Sequence, residues 1–190
     1  MDAVKIVNKI SKEHGTIKNV YFLACGGSLV DLYPGYYFLR AESAVMDAQW
    51  IPAREFALTP PKKLGKDSLL IICSHSGKTR ECLEAARTGL DAGAAVVTLT
   101  HAPGSACDTT EWISIVYDWA PGVKEAEKPQ GIVLNLLNEL MKVQEPGYEL
   151  YDKITEGFHK IDAIIAEAVK DQQNAAWLFA EKYSEEPNLY

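Results

Sequence analysis

The chain has 190 residues, 47% of them hydrophobic, a length and composition that suit one domain with a buried core. Its net charge of −7 comes without any basic run or Lys/Arg stripe, which argues against a nucleic-acid partner. Every apolar run is far shorter than the ~20 residues needed to cross a bilayer, so no membrane partner is expected.

The opening "MDAVKIVNKISKEHG" is an amphipathic helix pattern rather than a signal peptide. "NVYFLAC" (Asn19–Cys25) reads as the first strand, followed by "GGS" and a helical stretch from Leu29 to Glu42. "SAVMDAQ" (Ser43–Gln49) is a weaker second strand and "PAREFAL" (Pro52–Leu58) a short helix. "SLLIICS" (Ser68–Ser74) is a strongly apolar third strand, and Lys78–Ala92 a helix that stops at Gly93. "AAVVTLT" (Ala94–Thr100) and "WISIVYD" (Trp112–Asp118) are strands four and five, and a long helix spans Gln130–Val143. Continuous Val/Ile/Leu strands joined by helical crossovers predict a five-stranded parallel sheet with helices on both faces, a doubly wound α/β domain. The four cysteines, Cys25, Cys73, Cys82 and Cys107, show neither CxxC pairing nor metal-ligand spacing, and read as reduced, buried thiols of a cytoplasmic protein.

The chemistry concentrates in "IICSHSGKTREC" (Ile71–Cys82). Its Gly77-Lys78-Thr79 invites a P-loop reading, but that motif needs a glycine where Ile72 stands, inside a buried strand. The loop is too short to wrap a nucleotide triphosphate. What remains is three hydroxyls, Ser74, Ser76 and Thr79, with Gly77, between a strand's C-terminal end and a helix N-terminus, where free amides and the dipole attract an anion. Plain N-capping is the bland alternative, though one hydroxyl would suffice for it. "ACGGSL" sets Gly26, Gly27 and Ser28 at a second such junction, with a spacing that is not G-x-G-x-x-G. In the strand order 2-1-3-4-5 the first and third strands meet at the topological switch point, and the two loops face one crevice suited to a phosphate monoester.

These residues carry a resemblance. "ACGGS" followed by "CSHSGKT" resembles the paired loops of SIS (sugar isomerase) domains, as in the isomerase half of glucosamine-6-phosphate synthase, where the stretches read like A-C-G-T-S and S-Q-S-G-E-T. The likeness covers roughly residues 19–143 and looks most like the N-terminal half of bacterial fructosamine-6-phosphate deglycases. It implies a substrate phosphate bound by Ser28, Ser74, His75, Ser76 and Thr79, with backbone approach at Gly26, Gly27 and Gly77. His75 stands where the family has a Gln, and Lys78 where it often has a Glu. The loop after the fifth strand, "APGVKEAEKPQG", lacks the family's Ala-Ser-Thr before a lysine that Lys128 would match.

The resemblance further implies a sugar-phosphate deglycase or isomerase acting on a 6-phosphorylated amino sugar or Amadori compound. It implies a homodimer and a general acid/base pair in a second SIS half outside this chain. No cofactor is expected, and His75 and His101, which follow adjacent strands and border one crevice, lack a third ligand at metal spacing, so no metal is expected. His101 and Glu55 lie after strands of the sheet but read as a loop residue and a solvated carboxylate. Residues 1–146 are expected to form the SIS domain, and 147–190 a helical connector in two pieces, Tyr151–Val169 and Asp171–Tyr183, with "PNLY" as the entry to a further strand. A C-terminal helical cap is the alternative for that tail. From another class, a phosphosugar-sensing module without catalysis uses the same loops.

Overall fold

The computed structural model describes residues 2–186. Five parallel strands form one sheet in the order β2-β1-β3-β4-β5: β1 (Asn19–Ala24), β2 (Asp47–Pro52), β3 (Ser68–Cys73), β4 (Ala95–Thr100) and β5 (Ile113–Val116). The central three strands are buried along their whole length, as expected when helices cover both faces of a parallel sheet.

Alternation along the strands divides the core. Val20, Phe22, Leu69, Ile71, Val97 and Leu99 point to one face, where α1 (Ala3–His14), α3 (Tyr33–Glu42) and α6 (Pro129–Gln144) pack. Tyr21, Leu23, Leu70, Ile72 and Val96 point to the other, beneath α4 (Ala53–Leu58) and α5 (Arg80–Asp91). Burial of each such aliphatic side chain contributes about 2 kcal/mol. The register pairs Ala24 at the end of β1 with Cys73 at the end of β3, so the loops that follow these strands start side by side.

Three boundaries differ from the sequence reading. The helical stretch expected from Leu29 to Glu42 is broken into α2 (Gly27–Asp31) and α3, because Pro34 starts a new helix and cannot continue the old one. The second strand begins at Asp47 rather than Ser43. Ser43 Oγ takes the Met46 amide at 2.8 Å, and Glu145 Oε1 at the end of α6 takes the Val45 amide at 3.0 Å, which holds this stretch in a turn. The tail is one helix, α7 (Tyr151–Lys182), because nothing between Gly157 and Lys182 breaks it. Its half-buried residues Tyr151, Ile154, Phe158 and Ile161 form a single stripe, and from Asp162 to Lys182 every residue is exposed. The expected strand entry at Pro187–Tyr190 lies outside the described residues. Among the described residues no helix is long and apolar enough to cross a membrane.

Candidate functional site

The loop after β3 is fixed by its own hydrogen bonds. Ser74 is buried, its amide donates to Leu99 O of β4 at 3.0 Å, and its carbonyl accepts the Gly77 amide at 2.9 Å. The hydroxyls of Ser74 and Thr79 bond to each other at 2.8 Å, and the Thr79 amide donates to Ser74 Oγ at 3.4 Å. This has a consequence for α5. Thr79 is its N-cap residue yet makes no capping bond, because its hydroxyl is turned back to Ser74. The first-turn amides of a twelve-residue helix are left without a side-chain acceptor, at the end where the dipole is positive. Simple capping is therefore not what these hydroxyls do.

Gly77 has φ +63°, and a Cβ there would lie 1.9 Å from Ser105 Oγ and 2.7 Å from Thr100 Oγ1, so only glycine fits. Ser105 Oγ is itself buried without a partner. Ser76 is exposed, and its Oγ accepts the Lys78 amide at 3.3 Å. The loop after β1 is more open. Gly26 (φ +59°) and Gly27 are exposed, with no atom within 4 Å of an added Cβ, and Ser28 is half-buried at the start of α2. Ser28 and the Ser74 loop are thereby brought to the same end of β1 and β3.

His75 points out of the second loop onto a wall the sequence did not reveal. Its ring stacks on His101 at 4.9 Å with 16° between planes, its Nδ1 is 2.9 Å from Tyr117 Oη, and Trp119 meets it edge-on at 5.8 Å. His101 is held by a contact of 3.1 Å between its Nδ1 and Tyr117 O. Lys128, ion-paired with Glu125, places its Nζ 5.9 Å from the Trp119 ring. Asp31, the last residue of α2, accepts from Gln130 Nε2 of α6 at 2.9 Å. Tyr117 and Trp119 follow β5 directly, and residues just past the C-terminal ends of parallel strands border the ligand crevice; that position was the available signal. Asp31 and Gln130 lie 99 positions apart and are joined only by the fold. Glu55 is exposed on α4.

Burial sets the electrostatics beneath the loops. It pushes the Cys73 thiol up to about 12, with the Asp31 carboxylate adding to the rise. Tyr117 is raised by burial and then by Cys73, and Asp31 is raised by burial, with His75 pulling the other way. Cys82 and Cys107 are likewise raised by burial, while Cys25, just past β1, is half-exposed. All four cysteines are free, and no group of three or more metal-ligating side chains occurs among the described residues.

Comparisons with known proteins agree with this geometry. No family model matches the chain. It is 30% identical over 175 residues to fructosamine deglycase FrlB of Bacillus subtilis strain 168, an alignment covering 92% of this chain and 53% of that one. A glutamine–fructose-6-phosphate aminotransferase (isomerizing) of Clostridium tetani is 34% identical over 119 residues, 62% of this chain and 19% of that protein. A solved structure from Salmonella typhimurium LT2, described as a phosphosugar isomerase, superposes with a TM-score of 0.89 at 32% identity, covering 97% of this chain and 56% of that one. The fold with its paired Gly/Ser loops is that of a doubly wound sugar-isomerase domain. These relatives and the fold match the SIS family. It spans about half the length of the Bacillus and Salmonella proteins.

Proposed function

We propose that this chain is the phosphosugar-binding half of a deglycase or isomerase acting on a 6-phosphorylated amino sugar or Amadori compound. The phosphate is held by Ser28, Ser74, His75, Ser76 and Thr79, with close backbone approach at Gly26, Gly27 and Gly77. The observation that carries this reading is the uncapped N-terminus of α5 beneath a rigid loop of hydroxyls, at the switch point between β1 and β3. Ser76, Thr79 and the free amides reach the phosphate oxygens, and buried Ser74 sets the angle of Thr79. The names of the relatives, a fructosamine deglycase and a phosphosugar isomerase, support the substrate class.

Opening such a sugar and moving a proton between C1 and C2 needs a general acid/base pair. We place that pair in a second SIS half, in the part of the relatives' length that this chain does not span. Residues 1–146 are then the sugar-phosphate domain and 147–190 the connector. Exposed Tyr33 and Tyr37 on α3 support a homodimer interface, and the free thiols suit the cytoplasm.

Calorimetric titration with fructose 6-phosphate, and with fructose as the control, tests the reading. The phosphorylated sugar is expected to bind, the free sugar not, and Ser74→Ala/Ser76→Ala to lose at least about tenfold in affinity. Equal heats from both sugars, or a double variant as tight as the wild type, would remove the phosphate from this loop.

A further inference from the structure

The Asp31 carboxylate has no use in phosphate binding. It stands at the end of α2, half-buried, three residues after Ser28 on the same helix and so one turn from it. An anion beside a phosphate site repels the ligand unless the ligand also carries a cation. Among the described residues no Lys, Arg or His nitrogen lies within 4 Å of Asp31; the ion pairs are all elsewhere. The acceptors also outnumber the donors. Gln130 gives its Nε2 to Asp31 Oδ1, which fixes the amide's orientation and leaves Gln130 Oε1 buried with no partner. A half-buried carboxylate and an orphaned amide oxygen, side by side, together call for a group that brings several N–H donors and a positive charge.

We propose that Asp31, positioned by Gln130, is the specificity-determining residue that binds the protonated amine of the sugar phosphate and selects amine-bearing sugars over neutral ones. This rests on the phosphosugar reading above and adds a second anchor to it: phosphate at the Ser74–Thr79 loop, ammonium at Asp31. No bond is made or broken at Asp31. It is a binding group for the charge that distinguishes an Amadori compound from its parent ketose.

The matched ligands are 1-amino-1-deoxyfructose 6-phosphate and fructose 6-phosphate, which differ only in an ammonium for a hydroxyl at C1. Titrated into the full chain, the amine is expected to bind about tenfold more tightly. In Asp31→Asn, which keeps an acceptor for Gln130, the ratio of the two affinities is expected to fall to within about twofold, with the circular dichroism spectrum confirming the fold. Asp31→Glu, which retains the charge on a longer arm, is expected to keep part of the preference. A wild-type ratio near one, or a ratio unchanged in Asp31→Asn, overturns the assignment of Asp31 while leaving the phosphate loop in place. Binding of neither ligand overturns the phosphosugar reading itself, and the amine anchor with it.

Discussion

The two strand-to-helix loops at the switch point start from adjacent strand ends and are built in opposite ways. In the loop after β3 most of the chain is committed: Ser74 to Thr79 and β4, Gly77 to Ser105 and Thr100, and the His75 carbonyl to the His101 amide. In the loop after β1, Gly26 and Gly27 are exposed with open space around them, and Ser28 is only half-buried. A site that must hold an anion's geometry and still admit a sugar needs both characters. The rigid loop keeps its amides aimed before the ligand arrives, which lowers the ordering cost of binding. The open loop provides the space.

Among single substitutions, the largest expected effect follows from replacing Gly77 by alanine. The left-handed backbone and the approach to Ser105 both oppose a Cβ, so Gly77→Ala should cost about 2–4 kcal/mol in urea unfolding. A loss below about 0.5 kcal/mol would show that the second loop is as free as the first. Next is alkaline pH. The unfolded chain releases its thiol protons near pH 8.5, whereas the folded chain holds those of Cys73, Cys82 and Cys107 to higher pH, Cys73 to about 12. The folded state thus binds more protons, and stability is lost as pH rises through this window by about 1.4 kcal/mol per pH unit for each thiol. Unfolding at pH 7.5, 9 and 10 under reducing conditions should show that fall, with a smaller slope in Cys73→Ala. A flat profile would mean that the floor beneath the loops is wet. A smaller effect is expected for Thr79→Val, which takes the hydroxyl partner from buried Ser74 and should cost about 1 kcal/mol.

The same contrast explains what could be read from the residues alone. The sheet order and both loops were legible because apolar strand runs and Gly/Ser punctuation are local patterns. The start of β2 was not, because Ser43 and Glu145, far apart in the chain, bond the residues before it into a turn. In the site, the residue types of "CSHSGKT" announced an anion, but the turning of Thr79 away from its capping role depends on a partner five residues back. The wall of His101, Tyr117 and Trp119, and the Asp31–Gln130 pair, were illegible for a stronger reason: each brings together the ends of different strands and helices. A position just past a strand's C-terminal end points to the crevice, but a single aromatic or acidic residue there does not say which partner it meets. The tail, expected as two pieces, is one helix, because no Gly or Pro interrupts α7 after Gly157 and its charged residues suit an exposed helix.

The smallest expected change in stability is the one that tests the open loop most directly. Gly27 is the first residue of α2, exposed, with ordinary backbone and no atom within 4 Å of an added Cβ. Alanine there removes glycine's extra freedom in the unfolded chain and meets no obstacle, so Gly27→Ala should shift the unfolding free energy by no more than about 0.5 kcal/mol, in either direction. Binding should respond differently. The methyl group enters the space that the ligand is expected to use, so fructose 6-phosphate affinity should fall severalfold in a protein as stable as the wild type. Gly77→Ala should lower both together, because there the added carbon strikes the protein itself. If Gly27→Ala left binding untouched, the open loop would be space the sugar does not enter; if it destabilised the fold as Gly77→Ala does, the two loops would be equally rigid and the division of roles between them would fail.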